Sequence, residues 1–216
     1  MLIQSTLSQY ALGAVGTSAC TAIAAAAAAT LLPLLDSGNP TPPHVLDSIV
    51  TEGVQIASLG EGNHLDFATA FMLSGLDTVL RPLNLGAEAQ GLLTTPNSLE
   101  DMCREARAQA SSAPPRPYLA IVLTKPPETI CIFLPPPAGG RFLLFDSHPR
   151  PGVPNASLYE APSLQALLQR VREVFPPLPT EAGDEENMVL MMYNTFDGTF
   201  LQAVAEPPPM EGGAAP

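Results

Sequence analysis

The stretch ALGAVGTSACTAIAAAAAATLLPLL, residues 11–35, contains no charged side chain. A bilayer-spanning helix takes about 20 apolar residues, so length alone would permit a membrane span. The interior of the stretch argues otherwise. Gly13, Gly16, Thr17, Ser18 and Thr21 interrupt its first half, and Pro33 limits the second. What remains is a strong helix former over 19–32, a length that suits a buried helix of a water-soluble domain. Apolar all round, it needs protein on every side. Its alanines allow neighbouring elements to approach closely. Thr17 or Ser18 stands where an N-cap would sit, which puts Cys20 in the first turn. Residues 1–35 hold no Lys or Arg, so the basic region of a secretory signal is missing. The expectation is a central core helix and no membrane association.

Composition narrows the function classes. A chain of 216 residues fits one domain, or one with a small accessory lobe. With 46% hydrophobic residues it can build a core, while 14% charged residues is well below the roughly 25% of an average chain. The net charge of -12, from 21 acidic and 9 basic residues, excludes tight nucleic-acid binding, which needs a dense cationic footprint. Only Arg170-Val171-Arg172 forms a small basic cluster. An acidic surface instead favours a basic partner or substrate tail. Cys20, Cys103 and Cys131 are widely spaced and form no CxxC pair, which speaks against a disulfide framework and for a reducing compartment.

Along the chain, 1–16 reads as an extended or looped lead-in and SGNPTPP (37–43) as a break. HVLDSIVTEGVQIAS (44–58) reads as a short helix broken near Gly53. LDFATAFMLSGLDTVL (65–80) fits helix or strand, and RPLNLGAEAQGLL looks irregular. Ser98 stands ready to cap a helix over 99–110, with Glu100 and Asp101 at its positive end. The texture then changes. YLAIVLT (118–124), TICIFL (129–134) and RFLLFDSH (141–148) are β-rich and separated by Pro/Gly turns, the pattern of an antiparallel sheet. Ser163 caps a helix of LQALLQRVREVF, MVLMMYNTF (188–196) offers a fourth strand, and EPPPMEGGAAP (206–216) reads as a tail or linker. Helices first and sheet later make an α+β chain.

Two places carry candidate chemistry. At the first turn of the alanine helix, unpaired N–H groups and the helix dipole favour a Cys20 thiolate, a nucleophile whose neighbouring N–H groups help to hold an oxyanion. The plainer reading is a buried, inert core thiol. Asp146 and His148 lie two apart on a predicted strand, so they share a face, and the carboxylate can orient the imidazole and stabilise its cation. The plainer reading makes DSHPR a turn. Gln9, eleven residues before Cys20, offers an amide donor to an oxyanion, or is a loop surface residue. His44 and His64 lack ligand-like spacing and read as structural or surface residues; Cys131 and Cys103 read as packing. No metal-ligand or cofactor signature is present: GxGxxG, the P-loop, HExxH and GxSxG are all missing, and a zinc site would need three or four converging ligands.

QYALGAVGTSAC (9–20) and LLFDSHPR (143–150) together resemble the two motifs of one family, the papain-like ubiquitin-specific cysteine peptidase at the N-terminus of the herpesvirus large tegument protein. LDSIVTEGVQIAS (46–58) is loosely similar to a helical segment there. Ala19 departs from the polar residue frequent before that family's cysteine. The resemblance implies a papain-like fold over 1–203 with a Pro/Gly-rich tail or linker over 204–216. It implies Cys20 as nucleophile, His148 and Asp146 as its partners, and Gln9 at the oxyanion. It further implies ubiquitin or polyubiquitin as the partner, cleavage after its C-terminal glycine, and no cofactor. The chain would be part of a longer tegument protein, in the virion tegument and in the host cytoplasm or nucleus. Ubiquitin's tail is basic, and Glu52, Glu61, Asp66 and Asp77 are acidic residues that could line its approach. A peptidase for another ubiquitin-like modifier and a non-catalytic binding or structural domain are the competing expectations.

Overall fold

In the computed structural model the described residues are 1–60, 64–83, 89–110, 117–179 and 188–204. The alanine-rich stretch forms helix α1 (Cys20–Asp36), and every residue from 20 to 28 is buried. It continues one turn past the expected stop. Pro33 removes a single helical hydrogen bond so close to the end that the helix tolerates it. Ser37 then closes the turn by donating from Oγ to the Pro33 carbonyl at 2.7 Å. Asp36 accepts from the backbone N–H of Tyr118 at 2.7 Å, which ties the helix end to the start of the sheet.

Neither Thr17 nor Ser18 caps α1. The Thr17 hydroxyl donates to the Ala14 carbonyl and that of Ser18 to Val15, inside a 3-10 turn over Ala14–Ser18. The residue at the cap position is Ala19, which supplies no side-chain acceptor. The first-turn N–H groups beside Cys20 therefore have no side-chain cap.

Helix α2 (Pro43–Leu59) is unbroken at Gly53. There the two helices touch: a Cβ on Gly53 would lie 2.3 Å from Ile23 Cα. The glycine that reads as a helix breaker is the contact point of α1 and α2. The ambiguous 65–80 segment resolves into helix α3 (Phe67–Ser74), capped by Asp66, whose carboxylate accepts from Thr69 N–H at 2.7 Å, and a following 3-10 turn (Leu76–Thr78).

Among the described residues, eight strands make one sheet: β1 (Leu2–Gln4), β2 (Leu80–Leu83), β3 (Gln90–Leu92), β4 (Leu119–Lys125), β5 (Glu128–Leu134), β6 (Phe142–Asp146), β7 (Ser157–Ala161) and β8 (Thr195–Ala203). The order is β1-β7-β6-β5-β4-β8-β2, with β3 on β8 as well, and every described pairing is antiparallel. Alternation divides the side chains between two cores. Val122, Cys131, Phe133 and Phe145 face α1 and α2. Ile121, Leu123, Ile132 and Leu144 face helices α4 (Ser98–Ala110) and α5 (Leu164–Val174) on the other side. A sheet covered on both faces explains why its strands read as unbroken apolar runs.

The fold is α+β, with a helical region followed by a mainly antiparallel sheet. Three further sequence expectations need correction. MVLMMYN is helix α6 (Met188–Asn194), not strand, and the strand begins at Thr195. Methionine and leucine are good helix formers, and the buried Asn194 anchors the helix end by exchanging hydrogen bonds with the Leu178 backbone. RPLNLGAEAQGLL is not wholly irregular, since most of β2 and all of β3 lie within it. Strand β6 ends at Asp146, so His148 follows the strand instead of sitting on it. The tail at 206–216, most of SSAPPRP and Glu61 lie outside the described residues.

Candidate active site

The lead-in places Gln9. It opens a 3-10 turn (Gln9–Leu12), and Gly16 of the next turn lies so close that a Cβ there would fall 1.9 Å from the Gln9 carbonyl oxygen. No side chain fits at 16 without moving Gln9. The Gln9 amide is buried, and its Oε1 accepts from Ser147 Oγ at 2.8 Å, while its backbone N–H reaches the Ser147 carbonyl at 3.3 Å. With the oxygen engaged, the NH2 end of the amide is the one offered to an incoming group.

Ser147 sits between the two residues of the second motif. Asp146 Oδ1 accepts from the His148 backbone N–H at 2.9 Å and lies 2.8 Å from His148 Nδ1. The chain thus folds back on itself after β6, and the carboxylate orients the ring through a local turn. The expectation of strand alternation misplaces the cause but not the pairing. Asp146 Oδ2 accepts from Arg150 Nε at 2.7 Å, and Arg150 Nη2 donates to Glu128 Oε2 at 2.7 Å.

The other side of the His148 ring lies toward Cys20, close enough for each group to act on the other's charge. Because Nδ1 is taken by Asp146, Nε2 is the nitrogen left for sulfur. Cys20, Asp146 and His148 are all nearly sealed, at 2%, 2% and 4% exposure. The Cys20 thiol donates to the Pro127 carbonyl at 3.8 Å, and Thr129 lies close enough to act on its charge. The Thr129 hydroxyl in turn sits 3.0 Å from that of Thr21 and 3.1 Å from that of Thr124.

These contacts set the charges. Burial would raise the Cys20 thiol, but His148, with its charge, and Thr129 hold it below its ordinary value. Burial would lower His148; the hydrogen bond to Asp146, the nearby Cys20, and the charges of Asp146 and Glu128 lift it to about 9. For Asp146, burial is outweighed by His148 and Arg150, which keep it ionised below the usual carboxylate range. The other thiols differ. Burial pushes Cys103 up to about 12 and Cys131 well above its ordinary value. Both read correctly as packing.

A cavity of about 370 Å³, lined in part by Thr21, Thr129, His64, Phe67, Asp66 and Asp197, reaches neighbours of Cys20, while Cys20, Gln9 and His148 do not themselves line it. Of the acidic residues suggested by the sequence, Asp66 lines it, while Glu52 and Asp77 do not. Asp197 was missed. His64 is exposed, as expected, but at the rim of this cavity. His44 is exposed on α2. Sequence reading also missed Ser147, Thr129, Arg150 and Glu128. Two of them flank His148 in DSHPR, where their turn-forming character hid their contacts. Among the described residues no set of three or more His, Cys, Asp or Glu side chains converges as a metal ion requires, and no helix is long and apolar enough to cross a membrane.

No protein-family model and no curated protein matches the sequence. Solved structures do match. The chain is similar to the crystal structure of the ubiquitin-specific protease encoded by a murine cytomegalovirus tegument protein, in complex with a ubiquitin-based suicide substrate. The TM-score is 0.60 at 14% identity, over 97% of this chain and 89% of that one. At that identity the likeness concerns the fold. The chain has the fold of a papain-like thiol protease.

Proposed function

We propose that the protein is a thiol-dependent hydrolase that cleaves isopeptide or peptide bonds after the C-terminal glycine of ubiquitin. The observation that carries the reading is the contact of Cys20 with His148, at the uncapped start of α1, with Asp146 behind the ring. Cys20 is the nucleophile, His148 the acid and base, Asp146 its orienting partner and Gln9 the oxyanion donor. The thiolate of Cys20 attacks the glycine carbonyl carbon, and a C–S bond forms. The resulting oxyanion is held by the Gln9 NH2 and the Cys20 backbone N–H. The imidazolium of His148 gives its proton to the departing amine as the C–N bond breaks. His148 then takes a proton from water, whose oxygen attacks the thioester; the C–S bond breaks and the ubiquitin carboxylate leaves. Residues 1–203 are the catalytic unit and 204–216 a linker to the remainder of a longer tegument protein, acting in the virion tegument and the host cytoplasm or nucleus. Support for the substrate comes from the two sequence motifs, from the fold shared with a protease crystallised with a ubiquitin-based suicide substrate, and from Asp66 and Asp197 in the cavity that reaches the neighbours of Cys20.

The test is reaction with ubiquitin bearing a C-terminal electrophile. A covalent adduct at Cys20 is expected. Cys20→Ala removes it, and His148→Ala slows it by about 10²-fold or more. An adduct at Cys103 or Cys131 would overturn the assignment. Faster reaction with another ubiquitin-like modifier would move the substrate to that modifier.

A further inference from the structure

We propose that Arg150, braced by Glu128, is a positioning residue that clamps the Asp146–His148 loop to the β4–β5 turn and thereby sets the spacing of imidazole and thiol. The inference rests on the hydrolase reading above.

The sheet itself leaves this spacing unfixed. Strands β5 and β6 pair through Phe133↔Leu143, Ile132↔Leu144 and Cys131↔Phe145, and the ladder stops there. Beyond it lie Glu128 and Thr129 on one chain and Asp146 to His148 on the other. These two ends pair with β4 and β7 but not with each other, and Cys20 lies between them: its thiol donates to the Pro127 carbonyl on the β5 side and is close to His148 on the β6 side. Where backbone hydrogen bonds end, one side chain spans the gap. Arg150 Nε binds Asp146 Oδ2 and Nη2 binds Glu128 Oε2, both at 2.7 Å. The contacts close a ring: thiol, hairpin turn, Glu128, Arg150, Asp146, imidazole, and back to the thiol.

Each end of the clamp is fixed. The Arg150 backbone exchanges two 2.8 Å hydrogen bonds with Val153 across a turn whose Gly152 has φ +77°. Asp146 is 2% exposed, and its Oδ1 is fully occupied by His148. Among the described residues, Arg150 is the hydrogen-bond donor to Oδ2. A buried carboxylate oxygen left without a donor is costly, so the carboxylate would turn or admit water, and the ring would follow. A guanidinium meets two acceptors from two nitrogens of one rigid plane. An ammonium at that position satisfies one while losing the geometry of the other.

The experiment compares Arg150→Gln, Arg150→Lys and Glu128→Gln with the wild type. It measures kcat and KM on ubiquitin carrying a C-terminal fluorogenic amide, and the pH profile of Cys20 alkylation by iodoacetamide, with folding checked by circular dichroism. Arg150→Gln is expected to lower kcat about tenfold or more with KM within about twofold, the signature of lost orientation. Arg150→Lys recovers only part of that loss. The charged and titratable groups facing His148 are Asp146, Cys20, Glu128 and Arg150, with the Tyr10 ring at 6.5 Å. Glu128→Gln removes an anion that supports the imidazolium, so the alkaline limb of the alkylation profile, the step where the thiolate loses its imidazolium neighbour, moves to lower pH. Wild-type kcat in Arg150→Gln, or complete recovery in Arg150→Lys, would overturn the clamp. If Arg150→Gln does not fold, Arg150→Lys and Glu128→Gln decide: an unmoved limb together with unchanged kcat in both also overturns it. The alkylation profile reads the brace without ubiquitin, so failure of the wild type on ubiquitin counts against the proposed substrate and not against the clamp.

Discussion

Cys20 and His148 hold each other's charge, and that pairing has a measurable consequence. The thiol is held below its ordinary value and the imidazole is lifted to about 9, so the thiolate–imidazolium form exists between the two. As pH falls through the thiol's value the nucleophile is protonated and reactivity is lost. As pH rises through about 9 the imidazolium loses the proton that the leaving amine needs. The rate of ubiquitin-amide hydrolysis is therefore expected to be bell-shaped, with its alkaline limb near 9. His148→Ala should abolish the acid-side advantage and return Cys20 alkylation to a profile rising only at alkaline pH. At neutral pH one cysteine of three should take up iodoacetamide quickly, with Cys103 and Cys131 following only on unfolding; mass spectrometry of the labelled peptides decides this. Cys20, Asp146, His148 and Gln9 were legible as candidates because chemistry of that type in that order has few other uses, and their catalytic roles are the proposal made above. Ser147, Thr129 and Arg150 were not. A serine, a threonine and an arginine are common on turns and strands, and only the tertiary contact shows that one holds an amide, one solvates a thiol and one spans two carboxylates.

The thiol is carried by α1, and α1 is placed by its contact with α2. At Gly53 two effects oppose each other. Alanine in a helix is favoured over glycine by about 1 kcal/mol, so a loose crossing would be stabilised by Gly53→Ala. The Cβ, however, would stand 2.3 Å from Ile23 Cα and 2.7 Å from Ile23 N, both backbone atoms that no rotamer change can remove. Overpacking of this type costs about 1–3 kcal/mol and is expected to win. The urea midpoint should fall, and a fall in the Cys20 alkylation rate should accompany it, because Ile23 is one turn from the nucleophile. A raised midpoint would mean that the helices separate freely. The same position shows why the sequence misled there: glycine in a helical pattern suggests a break, and only a neighbouring backbone reveals a crossing. Strands β4, β5 and β6 were readable because burial on both faces makes them continuous apolar runs bounded by turns. Strands β1, β2 and β3 are three or four residues long and take their geometry from β7 or β8, so no local periodicity marks them. The run before β8 is methionine-rich and its residues mostly exposed, a composition that fits either element until its surroundings are known.

At the scale of the molecule, the helical layer carries the proposed nucleophile and the sheet carries its proposed base, so the candidate site exists only where the two meet. The α+β order was legible because helical and strand patterns are segregated in the chain; the three-layer arrangement was not, because nothing local says on which face α4 and α5 dock. The charge of the whole molecule acts at this meeting point as well. With a net charge of -12, and with Asp66 and Asp197 lining the cavity that reaches neighbours of Cys20, the surface should draw a basic tail toward the thiol. Steering of this type weakens as salt shortens the screening length from about 10 Å at 0.1 M to about 3 Å at 1 M. The second-order rate with a ubiquitin electrophile is therefore expected to fall several-fold as salt rises, while alkylation of Cys20 by uncharged iodoacetamide stays level. Asp66 also caps α3, so Asp66→Asn, which keeps an acceptor for Thr69, is the cleaner variant there; Asp197→Asn has no cap to disturb. Together the two substitutions should flatten the salt dependence without changing the iodoacetamide rate. A ubiquitin rate indifferent to salt would mean that apolar contact governs encounter, and it would remove the electrostatic argument for a basic substrate tail while leaving the thiol chemistry intact.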